Sequence, residues 1–586
     1  MKVESIRLPA ILCALTLPLA ALAIRPFVEM GLCDDWSYIK TVQVLARTGH
    51  VVYNGWATAL LGWQLYLGAM FVKLFGFSFT IVRASILPIA MATAFLTQRT
   101  MVRAGISEWN ASLGTLVLVV SPLFLPLTFS FMTDVSGLFC IVLCLYACLR
   151  ALQADTDRAA FAWICFAAIS NAIGGTARLI AWLGVLVMVP STLWLLRRRP
   201  HFLLAGSMLY LVCVAFIFAS IHWFHQQPYS VPENLIRDPI TLRTFATLFR
   251  NLVRAALDTS LFLLPILLAF IPELRRGNRR STLFFVAGSG LFLLFCLMET
   301  HRSVLHYWLA PYLGTYVTPY GLMEDDAIHG RRVVLTYGIR LLLTSLVAAS
   351  VLSLSALLLA RLKKLQPASD TSLSISWHSL GMVIVPFMTA YIVVLIPRAA
   401  SKVGFYDRFV LPIQLMALIV ILRFYQERLR TRLPAATLIP IAIYAAFSIA
   451  GTHDVFSLFR ARLAMVDELR SAGVPPTAID AGFEYDGWNQ IEKTGFINDP
   501  HIHLPPGEHF SPPKASFDVC RPFYLDEFSA LTLRYGMALD PAECLGQAEF
   551  APVTARTWLG PRYTTIYVVR VGNEESTIST TSRRYP

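Results

Sequence analysis

The sequence predicts a polytopic α-helical membrane protein with about thirteen transmembrane helices, followed by an extracytoplasmic α+β domain at the C-terminus. Three observations lead to this fold class. Of 586 residues, 56% are hydrophobic and only 15% are charged, whereas soluble domains carry about 25% charged residues. Apolar runs of span length recur as far as residue 450, and the mean hydropathy is +0.59. Lys and Arg cluster between alternate runs, which is the pattern that sets orientation in a membrane.

The formal net charge of +13 does not indicate a nucleic-acid partner. The cations lie in short loops between apolar runs, as in Arg197-Arg198-Arg199, where membrane insertion accounts for them. The ten cysteines show neither CxxC nor Cys/His metal spacing, and most lie in apolar runs, where they act as small hydrophobic residues.

The first apolar run, 6–27, is predicted to be an uncleaved anchor with a cytoplasmic N-terminus. Its Ala21-Leu22-Ala23 also resembles a signal-peptidase site. Residues 29–79 are then predicted to form a first external loop with helices at the membrane interface, with Trp56, Trp63 and Tyr66 at headgroup level. The apolar stretch 56–75 could instead be a second span, but taking 80–98 as the second span places Arg99 and Arg103 inside, as the orientation rule requires. The further predicted spans are 80–98, 113–131, 134–149, 161–173, 179–195, 202–223, 257–271, 283–298, 335–360, 381–396, 409–422 and 438–450.

The composition changes after residue 450, where Pro, Gly, Asp and His become frequent and no span-length apolar run follows. We therefore expect a membrane domain over 1–450 and a soluble extracytoplasmic domain over 451–586. In the second domain the pattern predicts a helix over 456–471 and strands over 478–483 and 564–571. Its two cysteines, Cys520 and Cys544, could pair outside the cytosol if geometry allows.

Three carboxylates stand out because this topology puts them on one side of the membrane. Asp34 and Asp35 directly follow the first apolar run, where a charge is costly unless it has a partner or a role. The alternative is that they are ordinary loop acids. Asp134 begins a span, and its alternative role is to cap that helix, for which Thr133 is also a candidate.

Three arginines lie at the outer ends of spans, against the orientation rule: Arg83, Arg178 and Arg408. Such a residue pairs with a carboxylate, extends to lipid headgroups, or binds an anionic ligand. Asp407 is an alternative partner for Arg408. The planar guanidinium group can bind a phosphate through two parallel hydrogen bonds.

The long external loop 299–332 contains acids and histidines whose spacing matches no strong metal motif, so a solvated acidic turn is favoured. They are His301, His306, Glu324, Asp325 and Asp326. External carboxylates and arginines together suit a lipid-linked phosphate donor and a hydroxyl or amine acceptor. A carboxylate can take the proton of the acceptor, and arginines can stabilise the departing phosphate.

At these residues the chain resembles the GT-C superfamily of polyprenyl-phosphate-sugar-dependent glycosyltransferases. The branch that it is most similar to contains protein O-mannosyltransferases and lipid A aminoarabinose transferases. The resemblance extends over 6–450, and the closing domain is similar, at 480–488, to tails on some bacterial members. The motifs are Asp34-Asp35, Leu74-Phe75-Gly76-Phe77-Ser78 running into Arg83, Asp134, and Tyr406-Asp407-Arg408-Phe409-Val410-Leu411-Pro412.

The resemblance implies an inverting sugar transfer on the periplasmic side of the inner membrane, to a lipid, glycan or protein acceptor. Asp34 or Asp35 would be the general base, and Asp134 would orient the acceptor or a metal. A divalent metal is left open. The residues implied for the donor phosphate are Arg83, Arg178, Arg408 and Tyr406.

A non-enzymatic transporter or lipid flippase is the alternative function. Transporters usually show an inverted repeat and ionisable residues at mid-membrane, and neither is evident in this sequence. If Asp34 and Asp134 meet under one external cavity, the enzyme is favoured. Two pseudo-symmetric halves would favour transport.

Overall fold

The computed structural model describes residues 7–56, 60–198, 200–231, 241–276, 283–292, 308–323, 330, 332–361, 375–401, 405–512 and 520–571. Helices dominate these ranges, and the few strands lie in the second half of the chain.

Helices joined mostly by short turns make up the first half of the described chain. They are α1 (Leu8–Ile24), α2 (Asp35–Thr48), α3 (Gly62–Phe75), α4 (Phe79–Ala84), α5 (Ile86–Arg103), α6 (Glu108–Val119), α7 (Phe124–Thr128), α8 (Thr133–Leu152), α9 (Asp157–Gly174), α10 (Val189–Leu195), α11 (Pro200–His225) and α12 (Leu242–Phe262). A 3₁₀ turn, Leu179–Trp182, and a π turn, Gly184–Met188, connect α9 to α10.

The second half contains the remaining helices and all the strands. They are α13 (Leu264–Leu267), α14 (Leu283–Phe292), β1 (Val317–Thr318), β2 (Gly321–Leu322), α15 (Tyr337–Arg361), α16 (Trp377–Ala400), α17 (Leu411–Arg428), α18 (Leu438–Ser471), α19 (Phe483–Thr494), β3 (Tyr535–Ala538), β4 (Val553–Arg556) and β5 (Tyr563–Arg570).

Among the described residues, 7 helical segments are long and apolar enough to cross a membrane. The number rises to 8 if Leu242–Phe262 and Leu264–Leu274, which meet at 67°, form one bent span. The 7 segments are Phe79–Arg103, Thr133–Leu152, Phe202–His225, Tyr337–Ala360, Trp377–Ala400, Asp407–Arg428 and Ala435–Ser471. The protein is therefore a multi-pass helical membrane protein.

The predicted number of about thirteen spans is not reproduced by these segments, because several predicted spans fall on short or interrupted helices. The expected span 113–131 is divided between α6 and α7, since Ser121 and Pro122 interrupt the helical hydrogen bonds. The expected span 179–195 is broken by the 3₁₀ and π turns, and α1 is only 17 residues long.

Helix α8 lies at the centre of the bundle, with 72% of its apolar window buried. It packs against α5 on one side and α9 on the other. Gly174, at the end of α9, contacts the side chain of Cys140 so closely that any larger residue would clash. The start of α8 is therefore held at a fixed depth between its neighbours.

The loop expected over 29–79 carries two helices, α2 and α3, with α2 between α3 and α19. Helix α2 is amphipathic: its polar face includes Lys40, and its buried face includes Trp36 and Ile39.

Helix α18 is continuous for 34 residues and so runs through position 450, where the composition changes. The C-terminal region, which we define as residues 472–571, contains a three-stranded antiparallel sheet with the order β3-β5-β4. The expected strand 564–571 is present as β5. The expected strand 478–483 is reduced to a bridge between Ile479 and Tyr535, because the chain turns at Gly482 into α19. Cys520 and Cys544 form a disulfide.

Candidate active site

Asp34 sits on a tight turn immediately before α2. The preceding residue, Cys33, has a φ of 55°, and this left-handed turn lets α2 start right after Asp34. One carboxylate oxygen of Asp34 accepts a hydrogen bond from the indole of Trp56 at 3.0 Å. The other lies 3.5 Å from Nη2 of Arg408. With 24% of its side chain exposed, Asp34 is held in place yet remains accessible.

Asp35 is completely buried and faces away from Asp34's partners. Its two oxygens accept hydrogen bonds from the backbone N–H groups of Leu32, at 2.6 Å, and Phe131, at 2.9 Å. Burial raises the pKa of Asp35 to about 6, although the charge of Arg83 and these N–H groups act to lower it. Asp35 therefore ties the first loop to the turn that precedes α8, and it is not brought to the surface of the cleft.

Arg83 is likewise a buried residue with backbone partners. Its guanidinium group donates to the carbonyl oxygens of Val28 and Phe79 and lies over the ring of Phe456 at 5.7 Å. The charge of Arg83 acts on Asp35, whereas Arg178 and Arg408 share Asp134. The structure does not bring Arg83 to the other two arginines.

Asp134 occupies the first turn of α8, where the helix dipole favours a negative charge. The capping position belongs to Met132, so neither Thr133 nor Asp134 caps the helix. Asp134 is buried and lies 2.8 Å from Nη2 of Arg178 and 3.9 Å from Nη1 of Arg408. It is therefore the common counter-charge of two arginines.

Arg178 comes from the turn after α9 and is positioned by its neighbours on α8. Its Nη1 donates to the hydroxyl of Thr133 at 3.1 Å. Its aliphatic stem lies over Gly137, where an added Cβ would be 2.6 Å from Cδ of Arg178. The glycine therefore makes room for the arginine beside Asp134.

Arg408 lies between the two carboxylates and is surrounded by aromatic rings. Its Nη1 donates to the hydroxyl of Tyr316 at 3.1 Å. The guanidinium carbon lies 4.8 Å from the ring centre of Tyr406 and 5.4 Å from that of Tyr316. The attraction between the cation and the faces of these rings helps to hold the guanidinium group in place. At 3.5 and 3.9 Å, its separations from Asp34 and Asp134 are long enough for an incoming anion to compete.

Asp407 has a separate role from its neighbour. Its carboxylate accepts hydrogen bonds from the backbone N–H groups of Tyr316, at 2.8 Å, and Val317, at 2.9 Å, and from the hydroxyl of Thr315. Asp407 therefore anchors the 315–317 segment. Its carboxylate is bound to that segment and not to the side chain of Arg408, so the pairing considered from the sequence does not form.

A narrow cleft connects the charged residues to an apolar wall. Asp134, Arg178 and Arg408 line one part of it. Its other walls are apolar or aromatic and are formed by Leu138, Ile141, Ile180, Tyr391, Leu411 and Pro412. The cationic end of this cleft suits an anionic group, and its sides suit the hydrocarbon next to that group.

Sequence reasoning missed Tyr38 and Tyr316 and assigned Trp56 to headgroup level, without its hydrogen bond to Asp34. Tyr38 lies one turn into α2, and burial raises its pKa, with a further contribution from the negative charge of Asp34. Tyr316 belongs to a long loop that carries no motif. Only the preference of Trp and Tyr for membrane interfaces could have pointed to them.

The described residues contain no group of three or more His, Cys, Asp or Glu that could hold a metal. The acids and histidines of the loop 299–332 that were considered for this role lie outside the described residues. Between Asp34 and Asp134, where a divalent cation could bind, lies the guanidinium group of Arg408. The residues present therefore do not fit a metal at this position, and we derive no step through one.

Comparison with known proteins finds no matching family model and no matching curated sequence. Solved structures similar to this chain include the Saccharomyces cerevisiae protein O-mannosyltransferase Pmt1–Pmt2 complex bound to its sugar donor, at 14% identity and a TM-score of 0.32. That match covers 38% of this chain and only 34% of the other. The protein O-mannosyltransferases are a group that the sequence motifs resemble.

Two other solved structures match over most of this chain. One is ArnT from Cupriavidus metallidurans bound to undecaprenyl phosphate, with 13% identity, 78% of this chain and 72% of the other covered, and a TM-score of 0.38. The other is the oligosaccharyltransferase AglB from Archaeoglobus fulgidus in complex with an inhibitory peptide and a dolichol-phosphate. That match has 13% identity and a TM-score of 0.38, and it covers 86% of this chain and 62% of AglB. At these scores the function of this chain has to be inferred from its own residues.

Proposed function

We propose that the protein is a membrane glycosyltransferase. It transfers a sugar from a polyprenyl-phosphate-linked donor to a hydroxyl or amine of a lipid, glycan or protein acceptor, with inversion at the anomeric carbon. The observation that carries this proposal is the position of Arg408, which lies between an accessible carboxylate, Asp34, and the buried pair Asp134–Arg178.

In the proposed reaction Asp34 is the general base. It takes the proton from the acceptor as the acceptor oxygen or nitrogen bonds to the anomeric carbon. The bond from that carbon to the phosphate oxygen breaks at the same time, and the electron pair leaves on the phosphate. Attack from the side opposite the phosphate inverts the configuration, and the product lipid is polyprenyl phosphate.

The two arginines bind the donor phosphate and stabilise the charge that grows on it. Arg408 and Arg178 share Asp134 as their counter-ion, so both guanidinium groups are already oriented before a ligand arrives. Tyr406 supports Arg408 through its ring and completes this part of the site. Asp35 and Arg83, which the resemblance also implicates, are assigned to holding the first loop in place.

The apolar wall of the cleft supports a lipid-linked donor over a soluble sugar nucleotide. Leu138 and Ile141 follow Asp134 along the same face of α8 and are buried, so the cleft provides an apolar wall for at most the start of a chain attached to the phosphate. Neighbouring membrane lipids can accommodate the rest of the tail. The meeting of Asp34 and Asp134 at one arginine, Arg408, supports this enzyme over a transporter or flippase.

We place the reaction on the extracytoplasmic side of the inner membrane, with residues 1–450 as the catalytic membrane domain and 451–586 as a domain on that side. The distribution of Lys and Arg in the sequence supports a cytoplasmic N-terminus. The pairing of Cys520 with Cys544 supports an oxidising compartment for the C-terminal region.

The test uses purified full-length protein with a panel of undecaprenyl-phosphate-linked sugars and an extract of envelope lipids and proteins as acceptor. We expect release of undecaprenyl phosphate from at least one donor and a product of inverted anomeric configuration. Movement of the intact lipid-linked sugar across a vesicle membrane, without cleavage, would instead identify a flippase.

A further inference from the structure

The C-terminal region contacts the turn that carries Asp34. Glu484, in the first turn of α19, accepts a hydrogen bond from the backbone N–H of Cys33 at 3.2 Å. Cys33 directly precedes Asp34 and has the left-handed φ of 55° that starts α2. This conformation is unfavourable for a residue with a Cβ, so a partner for its N–H helps to maintain it.

Glu484 is itself fixed by a buried arginine on another helix. Arg462 of α18 has no exposed surface, and its Nη2 lies 3.4 Å from the second carboxylate oxygen of Glu484. The Nε of Arg462 donates to the carbonyl oxygen of Ala481 at 2.7 Å, just before α19 begins. Glu484 therefore reaches Cys33 from a rigid support.

Helix α19 also packs against the second group that holds Asp34. The ring of Phe483 lies 5.2 Å from that of Trp56, whose indole N–H donates to Asp34. Trp36, two residues after Asp34, is fully buried against Gly487, where an added Cβ would be 2.6 Å from the indole ring. Both sides of the Asp34 turn are thus in contact with one helix.

We propose that Glu484 is a positioning residue for Asp34. Its hydrogen bond to Cys33 maintains the left-handed turn that keeps the Asp34 carboxylate beside Arg408, and Arg462 holds Glu484 in place. This inference deepens the proposed function and rests on it for its effect on catalysis. Glu484 does not contact Arg178 or Arg408 among the described contacts, so phosphate binding is independent of it.

The variants separate positioning from a general structural effect. Glu484→Ala removes the acceptor for the N–H of Cys33, whereas Glu484→Gln keeps a carbonyl oxygen there. Glu492→Ala is the matched control, because Glu492 lies on the same helix and binds Lys40 of α2 at the surface. Cys33→Gly is the rescue change, because glycine adopts a positive φ without strain.

Two readouts are measured on each full-length variant: hydrogen exchange of residues 32–37, and turnover of the donor found in the panel above. We expect Glu484→Ala to exchange faster at these residues than Glu492→Ala and to lose about 10- to 100-fold in kcat, the cost of a small misplacement. Binding of undecaprenyl phosphate alone should be unchanged. Glu484→Gln should recover most of the kcat, and Cys33→Gly should restore part of the turnover of Glu484→Ala.

Hydrogen exchange tests the positioning role, and turnover by the wild type tests the proposed function, so the two claims can be rejected separately. Unchanged hydrogen exchange at residues 32–37 in Glu484→Ala would overturn the positioning role, whatever the turnover. So would faster exchange with full turnover, or a loss of turnover that Cys33→Gly does not relieve. Faster exchange in a protein whose wild type transfers no sugar would leave the control of the turn intact and reject the proposed function.

Discussion

Replacing Arg408 by lysine keeps one positive charge but removes the geometry of the guanidinium group. In the structure that group is within 3.5 Å of Asp34, 3.9 Å of Asp134 and 3.1 Å of the Tyr316 hydroxyl. Its central carbon also lies 4.8 Å from the ring centre of Tyr406. A lysine ammonium is a point charge on a flexible stem and cannot reach all these partners at once.

The expected loss follows from these contacts. One charge-assisted hydrogen bond to the phosphate contributes about 1.5–3 kcal/mol, and the ring contact contributes about 0.5–1 kcal/mol. Together they predict a loss of about 2–4 kcal/mol of transition-state stabilisation in Arg408→Lys. This corresponds to a fall of roughly 30- to 1,000-fold in kcat/KM.

The assay measures release of undecaprenyl phosphate from the lipid-linked donor and, separately, equilibrium binding of undecaprenyl phosphate. Arg430→Lys is the control, because Arg430 pairs with Glu273 away from the cleft. We expect both readouts to weaken in Arg408→Lys and neither to change in the control. Wild-type kcat/KM and affinity in Arg408→Lys would refute the assignment of Arg408 to the donor phosphate.

Three further predictions concern the surroundings of the site. Burial raises the pKa of Asp35 to about 6, so the folded protein holds the proton of this carboxyl group more tightly than the unfolded chain does. The free energy of unfolding should therefore decrease as the pH rises through this value. The thermal midpoint of Asp35→Asn should therefore depend less on pH than that of the wild type. Gly137→Ala should push Arg178 away from Asp134 and weaken undecaprenyl phosphate binding about tenfold. Turnover should persist in a metal chelator, because Arg408 lies between the two carboxylates.

Each of these predictions has a result that contradicts it. An Asp35→Asn protein with the pH dependence of the wild type would mean that other groups control stability near neutral pH. Unaltered phosphate affinity in Gly137→Ala would separate Arg178 from the donor site. Loss of turnover in the chelator, restored by a divalent cation, would show that a metal takes part in the reaction.

Much of the membrane part could be predicted because apolar runs and basic loops are strong signals along the chain. They correctly indicated a multi-pass helical protein, and helices do occur in the loop 29–79. The span count was harder, because hydropathy does not register interruptions such as Ser121-Pro122 or the turns after Arg178. A continuous apolar run can therefore contain two short helices.

The spatial grouping of the candidate site residues could be predicted in part, and their chemical roles stay predictions. Asp34, Asp134, Arg178 and Arg408 meet as their shared position at span ends suggested. The sequence could not show which of Asp34 and Asp35 is accessible, because the two residues are adjacent. Their side chains differ only in their tertiary partners: Asp34 contacts Trp56 and Arg408, and Asp35 binds backbone N–H groups. Tyr316 and Glu484 arrive from distant segments without any motif, so only the fold reveals them.

The most direct test of the account compares wild type with Asp34→Asn in two measurements on the same preparation. Asp34→Asn should bind undecaprenyl phosphate at least as tightly as the wild type, since the arginines are intact and the competing charge beside Arg408 is removed. The rate of its release from the lipid-linked donor should be lower in the variant by about 100- to 10,000-fold, as expected for removal of a general base. Full turnover by Asp34→Asn would contradict the claim that this carboxylate accepts the proton of the acceptor.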